Sequence, residues 1–347
     1  IALLSFVRLF GFLGLLLLND LVLAKFLKTQ NSISIVLATT IAFTLPSFQF
    51  SAHWAITFMM CWASYFAILG YALQESEKRV VRLMGFASFI CSLLLYPLMS
   101  FFVFAYLYAT WFLLQDSIKA LIISLRKLFV LMIASAVTSY IIAYIYLHSQ
   151  GLTFMPRVGV VSISEIPEKV IFFLSRPFAL TYRPYLLDSP SIIGFLSTVG
   201  IFMFLLLLLF ANRYRNFGFA FQHFLVFNVF VVLTILPLLV VRDNQIDSRF
   251  VASNTWLYMF MFIFLFMDLR HDNELGIRKI LAFFVYPVAG LLLIIGFATI
   301  NLNFLNNYQS PFNQKQEFFR QQISLCNKEL SAQTNTILPR TTPWEEK

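Results

Sequence analysis

Residues 128–148 read LFVLMIASAVTSYIIAYIYLH, an apolar run without a single Asp, Glu, Lys or Arg. A run of about 20 apolar residues crosses a bilayer as an α-helix, and a helix satisfies its own backbone hydrogen bonds in lipid. The whole chain shares this character, since 60% of its 347 residues are hydrophobic, 12% are charged and the mean hydropathy is +0.80. This composition predicts an all-α integral membrane protein.

About ten runs of this kind predict a polytopic transmembrane domain over residues 1–300. They cover residues 3–26, 32–46, 54–74, 82–95, 98–114, 128–148, 190–211, 223–241, 251–267 and 280–300. The block 82–114 is too long for one span, and proline disfavours helix at the residue before it. We therefore expect two spans that meet at Tyr96-Pro97.

Most basic residues of the short loops fall in every second loop, and therefore on one side of the membrane. The positive-inside rule makes that side cytoplasmic. They are Lys25, Lys28, Lys78, Arg79, Arg82, Lys119, Arg126, Lys127, Arg213, Arg215, Arg270, Arg278 and Lys279. The net charge of +9 therefore indicates orientation, and without a continuous basic stripe we expect no binding of nucleic acid.

The segments on the other side carry the remaining features. In residues 149–189, Ser162 and Glu165 form a potential capping box that predicts a helix lying in the membrane interface. Residues 301–347 predict a small amphipathic helical tail outside the cytoplasm, with apolar residues at helical spacing. Because the sequence opens directly in an apolar run, we expect the natural N-terminus to be missing.

The outer loop 242–249 is the first candidate site. It places Arg242 and Arg249 beside Asp243 and Asp247. Arginine grips phosphate through paired hydrogen bonds, and a lipid-linked phosphate lies at this depth. The alternative is structural, with two Arg–Asp pairs holding a tight loop or arginines contacting lipid headgroups in general.

Other outer residues offer complementary chemistry. Glu165 is a candidate general base and Arg157 a candidate phosphate clamp, although each is also typical of a solvated charge on an interfacial helix. A second group combines polar side chains with aromatic rings that suit sugar binding, although Trp and Tyr also form ordinary interfacial belts. It consists of Gln49, His53, Trp54 and Tyr96.

No cofactor or metal site is predicted. The four histidines, His53, His148, His223 and His271, lack neighbouring ligands at zinc spacing. The sequence also lacks a glycine-rich phosphate loop and a nucleophile elbow.

The layout resembles the GT-C glycosyltransferases that use polyprenyl-phosphate sugars, in particular the bacterial O-antigen glucosyltransferase type II family. The resemblance covers most of the chain loosely. It lies in Arg8, in residues 44–49 before Trp54, in Leu95-Tyr96-Pro97, in Asp247-Ser248-Arg249 and in Asn306-Asn307-Tyr308.

This resemblance implies transfer of a hexose from a polyprenyl-phosphate donor to a cell-envelope glycan, outside the cytoplasmic membrane of a bacterium. Arg242, Arg249 and Arg157 would bind the donor phosphate, and Asp243, Asp247 or Glu165 would take the proton of the acceptor hydroxyl. The chain departs from the family because it begins beyond the first outer loop, where the family's catalytic acid usually lies.

Two other classes of function fit the same pattern. An O-antigen polymerase-like protein, or a transporter or flippase of a lipid-linked saccharide, would use the outer arginines without this donor chemistry. A transporter typically shows two repeated halves with broken helices, and no internal repeat is visible. A non-catalytic scaffold predicts no charged outer pocket.

Overall fold

The structure, a computed structural model, describes residues 2–29, 33–45, 48, 59–115, 117–152, 162–175, 192–214, 216–240 and 252–268, all within one compact unit. These residues contain helices and turns and no strand. The helices are α1 Ala2–Thr29, α2 Ile33–Phe43, α3 Met59–Leu73, α4 Arg79–Leu95, α5 Pro97–Ser100, α6 Phe102–Leu114, α7 Ile118–Ser149, α8 Ile166–Ser175, α9 Ile192–Tyr214, α10 Phe217–Thr234, α11 Leu236–Val240 and α12 Ala252–Asp268.

In the part of the chain that the structure describes, four segments are long and apolar enough to cross a membrane. They are Leu9–Thr29, Pro97–Leu114, Ile118–Ser149 and Phe217–Thr234. The other predicted runs up to residue 267 also overlap helices, whereas the run 280–300 and the tail lie outside the described residues. The all-helical class and the apolar spans agree with the sequence, and the number of ten spans stays a prediction.

The break at Tyr96 is where the sequence predicts it. Helix α4 ends at Leu95, Tyr96 is extended (φ −160°, ψ 94°), and Pro97 is the first residue of α5. Proline is tolerated there because the first N–H groups of a helix have no intrahelical acceptor. The chain then returns through α6.

Buried hydroxyls fasten this turn to α3. Ser92 Oγ donates to the Ala63 carbonyl oxygen (2.6 Å) and lies 2.6 Å from Ser100 Oγ. Ser64 Oγ donates to the Met99 carbonyl oxygen (3.2 Å). All three serines are fully buried, and a buried hydroxyl without a partner costs about 1–3 kcal/mol. The hydrogen bonds therefore hold the turn in one place.

The helices α6 and α12 form the aromatic centre of the bundle. Trp256 lies 5.0 Å from Phe102, 5.1 Å from Phe260 and 5.5 Å from Phe43 between ring centroids. Every residue of α6 from Phe102 to Ala109 is buried. This helix is therefore surrounded by protein.

Helix α7 is the opposite case. Val130, Ile133, Val137 and Tyr144 recur at intervals of three to seven residues and are 51–64% exposed. Such an apolar stripe is costly in water and suits acyl chains.

The start of α7 corrects the sequence prediction. The helix begins at Ile118, ten residues before the predicted span 128–148, because Ser117 Oγ caps it by accepting from the Ala120 N–H (3.2 Å). Its 32 residues measure about 48 Å, longer than the hydrocarbon thickness of about 30 Å. Arg126 and Lys127 therefore belong to a helix and not to a loop.

The helices α3 and α4 approach each other most closely at two glycines. A Cβ atom on Gly70 would lie 2.8 Å from the Gly85 carbonyl oxygen, and one on Gly85 would lie 2.8 Å from the Gly70 carbonyl oxygen. The obstructing atoms belong to the backbone and cannot rotate away. Glycine at both positions therefore permits this contact.

Replacing Gly85 with Ala is expected to destabilise the protein by about 1–3 kcal/mol through overpacking, although Ala favours helix by about 1 kcal/mol. We expect the cost of overpacking to exceed the gain in helix propensity, because the backbones of α3 and α4 must move apart. The measurement is the unfolding midpoint in detergent, followed by tryptophan fluorescence. The control Ala87→Leu adds atoms to the exposed face of α4 and should change stability little. A rise in Tm for Gly85→Ala would contradict this packing.

Candidate functional site

A second, smaller apolar cluster joins three parts of the chain that are distant in sequence. Its buried members are Ile235, Leu238 and Leu239, which lie at and after a second helix break. Leu98 from α5 and Ile166 from α8 pack against them, together with Val170 and Phe172. The cluster therefore brings together the turn after Tyr96, the start of α8 and the helix α11.

The second break was not predicted from the run 223–241. Helix α10 ends at Thr234, and α11 follows after Ile235, with Pro237 in its first turn. Proline there lacks the N–H that would continue the hydrogen bonding of α10. Pro237 is the sequence signal that could have revealed this break. Helix α11 ends two residues before Arg242, so the break directly precedes the predicted phosphate-binding loop in the sequence.

Lys169 is a functional candidate that the sequence analysis missed. It is only 5% exposed, and its Nζ donates to the Leu238 carbonyl oxygen at 3.3 Å. That carbonyl belongs to α11, a helix of five residues whose last carbonyls have no intrahelical donor. An ammonium at a helix C-terminus is also favoured by the helix dipole. Lys169 therefore ties α8 to α11.

The position of Lys169 in the sequence contained a signal. Ile166 and Val170 mark the apolar face of α8 at helical spacing, and Lys169, three residues after Ile166, falls on that face. Lysine is seldom fully buried, and burying its charge costs free energy that specific partners must offset. A lysine on an apolar face is therefore a reason to suspect a site.

Glu165 lies next to this cluster. It is exposed and is the last residue of the 3₁₀ turn Ile163–Glu165, which leads into α8. The predicted capping box is wrong, because the Ser162 side chain makes no capping hydrogen bond and its Oγ lies 2.9 Å from Ser164 Oγ. The Glu165 N–H donates to the Ser162 carbonyl oxygen (3.0 Å) instead. Its carboxylate faces solvent.

Tyr96 lies at the same end of the bundle. Its ring is partly buried and packs against the main apolar core. Its N–H donates to the Ser92 carbonyl oxygen (3.0 Å), and its own carbonyl oxygen accepts from the Met99 N–H (3.1 Å). These contacts give Tyr96 a structural role, and its predicted role in sugar binding stays a prediction.

The other predicted site residues lie outside the described part of the chain. They are Gln49, His53, Trp54, Arg157, Arg242, Asp243, Asp247 and Arg249. The structure thus places Glu165 and Tyr96 beside one cluster and leaves the roles of the other residues as predictions.

The start of α12 adds buried polar groups. Asn254 and Trp256 are at most 1% exposed, and Asn254 Nδ2 donates to the Val231 carbonyl oxygen (3.3 Å). Within the described residues, Asn254 Oδ1 and Trp256 Nε1 have no hydrogen-bond partner. Buried polar atoms are nearly always paired. These two atoms therefore leave an acceptor and a donor to be satisfied, five and seven residues after the predicted loop 242–249.

No protein-family model, curated protein or solved structure matches this chain. What the site does must therefore follow from its own residues.

Reversing the charge of Lys169 tests its tie to α11. Lys169→Glu would place a carboxylate against the Leu238 carbonyl oxygen in a buried position, and we expect a loss of about 3–5 kcal/mol. The measurement is Tm in detergent. The matched control is Glu168→Lys, a reversal at an exposed neighbour, which should shift stability by less than about 0.5 kcal/mol. Equal Tm values for both variants would show that Lys169 is not buried against α11.

Proposed function

We propose that this protein is a membrane glycosyltransferase that moves a hexose from a polyprenyl-phosphate donor to an envelope glycan, at the end of the bundle formed by Tyr96, α8 and α11. One observation carries the proposal. Lys169 Nζ donates to the Leu238 carbonyl oxygen (3.3 Å), and this bond joins α8, which directly follows Glu165, to α11, which ends two residues before Arg242 in the sequence.

Hexose transfer needs a carboxylate and cationic side chains at the same site. The acceptor hydroxyl oxygen bonds to the anomeric carbon, while the bond from that carbon to the phosphate oxygen breaks and its electron pair leaves with the phosphate. The hydroxyl proton passes to a carboxylate, and Glu165 is exposed, so that its carboxylate is accessible to an acceptor. Arg242 and Arg249 would stabilise the charge that develops on the phosphate.

Two features of the fold support a lipid-linked substrate. The cluster of Ile235, Leu238 and Leu239 is apolar and lies at the end of helices that are long enough to cross a membrane. The orphaned Asn254 Oδ1 and Trp256 Nε1 are groups that bind hydroxyls. A polyprenyl-phosphate hexose combines an apolar tail, a phosphate and hydroxyls in one molecule.

The direct test is transfer from a radiolabelled polyprenyl-phosphate hexose in membranes that contain the full chain. We expect wild-type transfer, with losses of at least about 100-fold for Glu165→Gln and for Arg249→Ala at equal protein levels. The matched control is Glu168→Gln, which removes an exposed charge three residues away and should leave transfer unchanged.

Other results would overturn parts of this proposal. Absence of transfer by the wild type from every such donor, with retained binding of a lipid-linked oligosaccharide, would favour the polymerase or the transporter. Full transfer by Glu165→Gln would remove Glu165 as the base and leave Asp243 and Asp247 as the candidates.

A further inference from the structure

A groove of about 810 Å³ lies between α4 and α7, far from the site just described. Four cationic side chains line it: Arg79 and Arg82 from the start of α4, and Arg126 and Lys127 from α7. The 17 residues of α4 separate Arg79, at the charged end of this groove, from Tyr96 by about 25 Å. The groove and the candidate site therefore lie at opposite ends of α4.

The groove concentrates positive charge without compensation. Its lining contains Gln74 and no Asp or Glu. Within the described residues, the one ion pair to a carboxylate joins Lys25 to Glu75 (3.3 Å) and involves none of the four cations. Like charges that line one groove repel one another. An anion in the groove would relieve that repulsion.

The start of α4 makes the arrangement less favourable still. Arg79 and Arg82 occupy its first turn, where the helix dipole disfavours cations, and no acidic residue is present there. Lys78, the N-cap residue, makes no capping hydrogen bond through its side chain. The positive-inside rule explains basic residues in cytoplasmic loops, but it does not require them to line a concave surface on two helices.

The lining changes from charged to apolar along both helices. On α4 the arginines precede Leu83 and Phe86. On α7, Arg126 and Lys127 are followed by Val130 and Leu131, and Ile123 lies about one turn before the two cations. These positions span about 10 Å along each helix. Leu83 and Val130 are 59% and 64% exposed. A ligand that satisfies both parts has an anionic head and an apolar tail.

We infer that this groove binds an anionic phospholipid from the leaflet that the positive-inside rule makes cytoplasmic. Arg79, Arg82, Arg126 and Lys127 hold its phosphate, because guanidinium groups pair with phosphate oxygens through charged hydrogen bonds. The acyl chains lie along Leu83, Phe86 and Val130, of which Leu83 and Val130 are exposed. The inference does not depend on sugar transfer.

The test is binding of fluorescent phosphatidylglycerol, with phosphatidylcholine as the neutral lipid, to the delipidated full chain in detergent. We expect tighter binding of phosphatidylglycerol, weakened by salt. Arg82→Gln combined with Arg126→Gln should weaken it at least about tenfold, since each arginine loses a charged hydrogen bond.

The matched control is Lys28→Gln combined with Lys119→Gln, which removes equal charge from exposed residues outside the groove. It should keep the affinity within about twofold, and both double variants should keep the wild-type Tm because all four side chains are exposed. Equal losses in the two variants would overturn the inference in favour of nonspecific charge. If inorganic phosphate, at the same concentration as the lipid, displaced it from the groove, the inference would be overturned and the ligand would be a free anion.

Discussion

The fold depends on the break at Tyr96. An uninterrupted helix over residues 82–114 would be too long for one span, and Pro97 lacks the N–H that would carry the helix across that point. The buried hydroxyls of Ser92 and Ser100 then pair with each other and with α3, so that the turn is fixed and α6 returns into the centre. The same turn presents Leu98 to the cluster that gathers α8 and α11. A straight helix would leave that cluster without one of its three parts.

The two ends of α4 have opposite chemistry, and this difference organises the molecule. At its start, cations line an open groove whose walls become apolar. At its end, apolar residues close around a buried ammonium, with the carboxylate of Glu165 outside. A length of about 25 Å between these ends is close to the thickness of a hydrocarbon core. The charge pattern thus separates the proposed lipid site, at the start of α4, from the proposed site of sugar transfer, at its end.

The sequence predicted the features that depend on neighbouring residues. Apolar runs located the helices, and Tyr96-Pro97 located a break, because span length and proline geometry are local constraints. The apolar run predicts a start at residue 128, ten residues too late, because Arg126 and Lys127 interrupt the run although they belong to a capped helix. The burial of Lys169 and the groove between α4 and α7 arise from packing between segments about 40 to 70 residues apart, which composition and periodicity do not specify. The predicted capping box fails for a local reason, because Ser162 Oγ lies 2.9 Å from Ser164 Oγ and makes no capping hydrogen bond.

The most direct test is the side of the membrane on which each end of α4 lies. Single cysteines at Glu77 and at Ser164, both exposed, would be introduced after replacement of Cys61, Cys91 and Cys326. They would then be labelled with a membrane-impermeant thiol reagent in sealed vesicles of known orientation. We predict that Ser164→Cys reacts only from the outer side and Glu77→Cys only from the cytoplasmic side. Labelling of both positions from one side would contradict the account, because the groove and the candidate site would then share a membrane face.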